Sequence, residues 1–217
     1  MMTKSFFSLY DINFFYKILD MKSINFISDL EYHNFYTLLV AVVLSSQSTD
    51  KGVNNVTKSL FNIVSSPQEM VDLGVDNIRG YIRNIGLFNK KASNIFTLSQ
   101  QLIDRHGGKV PNSRKDLENL SGVGRKTSNV VLNIAFSKPT IGVDTHIFRV
   151  CNRTGLSPGK SVVEVEDKLM CITPKKFLLK AHRVLIFFGR YICSAKKPKC
   201  QICFISHICK YKNKHFF

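Results

Sequence analysis

Acidic residues are scarce: 15 Asp and Glu stand against 31 Lys and Arg in 217 residues, a formal net charge of +16 and a pI of about 9.7. That balance disfavours a basic partner and points to a polyanion, nucleic acid first. Long apolar runs are also missing. The longest, Phe35 to Leu44, is broken by Thr37 and reaches about half of what a bilayer span requires, so a core helix and no membrane contact are expected. Met1 to Phe7 offers no small-residue cleavage site behind a continuous apolar stretch, so no secretory leader is expected and the reducing cytoplasm is the expected compartment. There, six cysteines argue for metal binding or inert burial rather than disulfides. No strand-type alternation, fixed-period repeat or low-complexity segment is found, so the pattern predicts an all-α protein. The length suits one good core, or two small ones sharing a cleft.

What is there is a series of helices with legible ends. Residues 6 to 20 carry Phe6, Phe7, Tyr10, Phe14 and Ile18 at helical spacing, and 34 to 45 is apolar enough for burial on most sides. Ser45 to Asp50 is a short polar break with capping residues, Asp50 read as a local cap, and a third helix runs to about Val64. Ser66-Pro67-Gln68-Glu69 is a capping box with proline at the first helical position. That helix stops by Gly74. A short one follows over 76–84, then a turn at Gly86 to Asn89 and a long helix from Lys90 to His106. Ala92, Ile95, Phe96, Leu102 and Ile103 mark its apolar face, and Gly107-Gly108 end it. Ser113 and Asp116 cap the next helix, another ends near Phe136, and three more are expected over 145–154, 161–171 and 174–193.

The rest is organised around Leu117 to Val131. Leu117 and Leu120 close one apolar-faced helix, Gly122-Val123-Gly124 make a tight hairpin, and Arg125-Lys126 open the next helix. Two glycines leave the loop's N–H groups bare beside a helix N-terminus, which suits a phosphate and reads no base. Leu-x-Gly-Val-Gly-Arg-Lys-Thr resembles the helix-hairpin-helix motif of the endonuclease III family of DNA glycosylases with lyase activity. Val143 to Val150 (Val-Asp-Thr-His-Ile-Phe-Arg-Val) and a four-cysteine tail resemble the same family in the same order, and the likeness runs from about Phe26 onward. Family members usually carry proline where this chain has Ser121, which predicts a looser entry to the hairpin.

The resemblance implies two helical lobes: residues 28–138, with six helices and the hairpin, and residues 1–27 joined to 139–217, with a cluster loop over about 193–209. It also implies an activity, removal of oxidised pyrimidines from duplex DNA followed by strand cleavage by β-elimination. Spacing alone leaves Lys126 as either a phosphate contact or a nucleophile, whereas the family's nucleophile aligns with it. A lysine attacks only when uncharged, and its ordinary pKa of about 10.4 would be pushed down by the helix N-terminus, Arg125 and partial burial. Asp144 reads as a helix cap by position; by resemblance it is also the carboxylate that stabilises positive charge on the sugar. His146 beside it is read as a structural hydrogen-bonding residue.

Cys193, Cys200, Cys203 and Cys209, spaced C-x6-C-x2-C-x5-C, are a metal set. Spacing alone fits zinc or an iron-sulfur cluster, and the resemblance selects [4Fe–4S]. Cys151 and Cys171 are expected in the core. The three lysines between the first two ligands, Lys196, Lys197 and Lys199, would form a phosphate clamp. By resemblance alone, Gln47 fills the gap left by a flipped base and Leu87 is a wedge.

Basic residues gather beside these motifs, at Arg125/Lys126, Arg149/Arg153 and the loop lysines. The expected partner is damaged or abasic duplex DNA, in a bacterial cytoplasm at the nucleoid, with a monomer as the default. Two alternatives stay open. One is a monofunctional adenine-glycosylase relative, against which Lys126 and the short tail speak. The other is a non-enzymatic DNA-binding module, which differs in sequence only at the Lys126/Asp144 pair.

Overall fold

A computed structural model of the protein describes residues 5–23 and 30–214. Those residues form eleven α-helices and no strand, as an all-α pattern requires. The chain divides into two compact units, Ser28–Lys138 and a second made of Met1–Ile27 with Pro139–Phe217. The first crossing between them, expected at residue 28, lies outside the described residues, as do Met1 to Lys4.

The Ser28–Lys138 unit is built on α2 (Phe35–Leu44), whose residues from Tyr36 onward are all buried. A helix apolar on every side has to sit at a centre. Around it stand α3 (Asp50–Phe61), α4 (Pro67–Leu73), α5 (Val75–Ile82), α6 (Phe88–His106), α7 (Arg114–Glu118) and α8 (Arg125–Phe136). Among the described residues this makes seven helices rather than six. Gly74, at φ 79°, ends α4 and serves as the N-cap of α5, so the two short helices expected on either side of it are both present. The Ser66–Glu69 capping box forms as the sequence dictates, with both reciprocal bonds made. Thr49, rather than Asp50, caps α3 by accepting from the Gly52 N–H.

Helix α6 starts two residues before Lys90 because Leu87 takes a left-handed backbone, φ 59°, as its N-cap. Its buried stripe runs through Lys91, Ala92, Ile95, Leu98, Ser99 and Leu102, while Phe96 and Ile103 are only half-buried. Ser99 belongs in that stripe because its hydroxyl meets the buried Tyr36 hydroxyl at 2.6 Å.

The second unit packs α1 (Leu9–Lys22), α9 (Thr145–Thr154), α10 (Val162–Ile172) and α11 (Leu178–Phe187) around Phe15, Tyr16, Leu19, Ile147, Val150 and Leu185. Phe15 meets Phe7, Tyr16 and Phe188 edge-on at 5.4–6.0 Å, and the buried Tyr16 hydroxyl is satisfied by Thr173 at 2.8 Å. The expected helix over 174–193 is three pieces: a 3-10 turn (Lys175–Phe177), α11, and a π-helical turn (Phe188–Ile192) that delivers Cys193. Cys151 is core, as expected. Cys171, expected there too, is exposed at the end of α10.

Candidate functional site

The hairpin is set by three facts of its backbone. Leu117 and Leu120 are buried in the unit's core and bring α7 to a stop. Gly122 turns the chain at φ 77°, and Gly124, extended, becomes the N-cap of α8 with no side-chain cap. Both glycines are exposed. The first amides of α8 therefore have no capping side chain from Gly124, and a phosphate oxygen can take that place. Val123 lies inside, 6% exposed, so of this expected DNA contact only the backbone can serve. Arg125 and Lys126 occupy the first turn of α8, both half-buried, followed by the buried Thr127, Ser128 and Asn129.

Ser121 does not loosen the entry. Its N–H donates to Gln101 Oε1 at 2.8 Å and its hydroxyl to Asn94 Oδ1 at 3.1 Å, so two side chains of α6 hold the turn. A proline has no N–H for the first of these bonds; hydrogen bonding here replaces ring stiffness.

Asp144 is the N-cap of α9. Its Oδ1 accepts the Ile147 N–H at 2.9 Å, and no partner for its other carboxylate oxygen is present among the described residues. The capping role is therefore real, and it holds a half-buried carboxylate with one oxygen to spare. His146 is structural, its Nδ1 lying 3.2 Å from the Arg149 guanidinium.

The two arginines of α9 differ from their sequence reading. Arg149 donates to the carbonyls of Gly189 at 2.7 Å and Cys193 at 3.1 Å, and Arg153 donates to those of Ser194 and Ala195, both at 2.7 Å. They cap the end of the π-helical turn and the start of the cysteine loop rather than facing a polyanion. Gly189 permits this closeness, since a Cβ there would lie 3.0 Å from that of His146. Arg153 also lies over the Tyr211 ring at 5.0 Å.

Cys193, Cys200, Cys203 and Cys209 line one hollow, partly open to solvent, with Phe188, Ile192, Pro198, Ile205 and Tyr211 among its walls. Among the described residues, no three His, Cys, Asp or Glu side chains stand close enough to hold a single metal ion. A tetrahedral zinc, with bonds of about 2.3 Å, needs its sulfurs nearly in contact. Four thiols spread around an apolar hollow fit a larger polynuclear group. Burial pushes Cys193 and Cys209 up and Cys203 to about 11, with Arg153 pulling Cys193 partly back. Without a metal these ligands hold their protons, and iron must displace them.

The intervening loop is rigid by its bonds: Ser194 Oγ donates to the Lys197 carbonyl at 2.6 Å, and the Lys199 N–H to that of Ile192 at 2.9 Å. Pro198 points inward and Lys196, Lys197 and Lys199 are exposed. Gln47 and Leu87, the two loop residues, are exposed as well, and both carry a left-handed backbone, at φ 53° and 59°.

An all-helical scaffold that offers hairpin amides to a phosphate and gathers four thiols in a loop defines a helix-hairpin-helix protein with a cysteine-held metal site. Residues 40–175 match the HhH-GPD superfamily base excision DNA repair protein, and residues 193–209 the iron-sulfur binding domain of endonuclease III. Endonuclease III of Haemophilus influenzae is 54% identical over 187 residues, 86% of this chain and 89% of that protein. That of Escherichia coli (strain K12) is 50% identical over the same share of each. Among solved structures, a trapped endonuclease III–DNA covalent intermediate superposes with a TM-score of 0.89 at 41% identity, covering 94% of this chain and 96% of that one. A non-covalent endonuclease III–DNA complex matches equally well. The chain belongs to the endonuclease III family. Its cofactor is the [4Fe–4S] cluster of that family's iron-sulfur domain. No helix of the described residues is long and apolar enough to cross a membrane.

Proposed function

We propose that the chain is a base-excision-repair enzyme, a bifunctional DNA glycosylase and abasic-site lyase that removes oxidised pyrimidines from duplex DNA, with Lys126 as nucleophile. The observation that carries this is a lysine on the first turn of α8, directly after two exposed hairpin glycines. A phosphate bound by the hairpin would hold one strand beside the amine. The relative caught as a covalent DNA intermediate supports the same chemistry.

The uncharged Lys126 amine attacks the sugar C1′, and the glycosidic bond breaks with its electron pair, which the departing base keeps as it takes up a proton. The amine loses a proton as the ring C1′–O4′ bond opens, leaving a Schiff base. Loss of a C2′ proton then expels the 3′ phosphate as the C3′–O bond breaks, and water finally releases the lysine. Asp144, held by its Ile147 bond, stabilises the positive charge that grows on the sugar and holds a proton in transit. Gln47 and Leu87 fill the space left in the duplex. Cys193, Cys200, Cys203 and Cys209 would hold the cluster, which would supply a tie across their loop, and Lys196, Lys197 and Lys199 on that loop contact phosphates. Every residue named belongs to one chain, so a monomer suffices, and the net charge of +16 keeps it on nucleoid DNA.

Borohydride trapping on an abasic duplex tests this reading. The native chain should give a covalent adduct and Lys126→Gln none. No adduct with either would leave a DNA-binding module without catalysis.

A further inference from the structure

Lys91 is the least expected residue of the Ser28–Lys138 unit. It lies in the buried stripe of α6, 4% exposed, and burial holds its ammonium below the ordinary lysine value. Its Nζ donates to a single neutral group, Ser48 Oγ, at 2.7 Å. Among the described residues no carboxylate pairs with it. A methionine would fill the same space without burying a charge, so packing does not explain a lysine here.

Its position does. Ser48 directly follows Gln47, and the Lys91 N–H donates to the carbonyl of Leu87 at 3.0 Å. One residue thus holds the Gln47 loop with its side chain and the Leu87 turn with its backbone. The two segments also touch, since a Cβ on Gly86 would lie 3.7 Å from the Gln47 carbonyl oxygen. Gln47 and Leu87 are two of the three non-glycine residues with positive φ among those described. Strain of this kind persists only where the surroundings enforce it.

We propose that Lys91 is a positioning residue that locks the Gln47 loop and the Leu87 turn into one rigid unit, so that both side chains enter an opened duplex together. The proposal rests on the gap-filling roles given to Gln47 and Leu87 above, and the experiment separates the two.

Single-turnover excision of an oxidised pyrimidine from duplex DNA is compared with strand cleavage at an abasic site in a single strand, where no opposite base has to be held apart. Lys91→Met should slow duplex excision about tenfold, the size expected when the order imposed by one hydrogen bond from a charged group matters chiefly in the opened complex. Single-strand cleavage should change less than about twofold, and 2-aminopurine opposite the lesion should lose its fluorescence rise on binding. Ser48→Ala, which deletes one half-buried hydroxyl, should shift the same readouts in the same direction and keeps the test open if Lys91→Met folds poorly. The double variant should be no worse than Lys91→Met alone. Equal losses on both substrates, or duplex excision unchanged, would overturn the proposal. Gln47→Ala and Leu87→Ala run alongside: if neither shows a duplex-specific loss, the gap-filling assignment fails and Lys91 has nothing to position. If they lose activity while Lys91→Met and Ser48→Ala do not, only the role of Lys91 fails.

Discussion

The two glycines of the hairpin should behave as opposites when each is changed to alanine. At Gly122 a Cβ would lie 2.8, 2.9 and 3.0 Å from Nδ2, Cβ and Cγ of Asn94, at a backbone φ of 77°. The left-handed backbone costs roughly 1–2 kcal/mol for an alanine. Pushing Asn94 aside adds overpacking of about 1–3 kcal/mol and breaks its bond from Ser121, worth about 1 kcal/mol. Gly122→Ala should therefore destabilise the protein by ~3–6 kcal/mol, read as a drop in Tm of roughly 10 °C for a chain of this size. At Gly124 nothing lies within 4 Å and φ is −105°, so alanine there should cost no more than ~1 kcal/mol as a poorer N-cap. Its methyl would instead stand on the exposed face of the turn and weaken duplex binding. Thermal melting of the cluster-loaded protein, with DNA affinity measured at fixed salt, reads both effects. Equal losses of stability at the two positions would refute the reasoning, as would a failure of Asn94→Ala to relieve part of the Gly122→Ala defect.

Three further outcomes follow from the same geometry. Arg153→Met removes the bonds to the Ser194 and Ala195 carbonyls; visible absorption of the cluster should then fade at least about tenfold faster under air, since each charge-assisted bond is worth ~1.5–3 kcal/mol, and an unchanged rate would count against the loop clamp. Replacing Lys196, Lys197 and Lys199 by glutamine should weaken binding to all sequences alike and reduce the salt slope by about 0.9 for each phosphate that is no longer neutralised; an unaltered slope would remove them from the interface. Glu69 is held below its usual 4.5 by the N–H and hydroxyl of Ser65 and, after them, by Ser66. A lowered pKa stabilises the fold above that usual value, and the gain disappears as pH falls through the lower folded one. Glu69→Gln should therefore flatten this acid limb of a melting-versus-pH curve, and an unchanged limb would mean that the box contributes nothing measurable.

Much of the architecture can be read locally. The Ser66 box, the Gly107-Gly108 stop and the Gly122–Gly124 hairpin involve residues a few positions apart, so sequence order carries the interaction. What escapes depends on distant partners. Arg149 and Arg153 look like phosphate ligands because their carbonyl partners lie some 40 residues downstream. Lys91 looks like a surface residue because the hydroxyl that takes it inward belongs to Ser48. The left-handed start of α6 falls on Leu87 rather than on Gly86 beside it, and the π-helical turn before Cys193 leaves no mark in the apolar pattern. Ser121 misleads because a missing ring suggests slack, while Gln101 and Asn94 are invisible from its neighbourhood. Of the candidate site, the hairpin and the four cysteines stand out by residue type and spacing, and Lys126 and Asp144 only by resemblance; the supports beneath them do not stand out at all.

Helix α1 is made well before the residues that cover it. Phe15, Tyr16 and Leu19 have their partners at Thr173, Phe188 and beyond, so translation must complete the entire Ser28–Lys138 unit before that apolar face can be covered. The nascent chain therefore carries an uncovered greasy helix until the residues around Thr173 and Phe188 have been made.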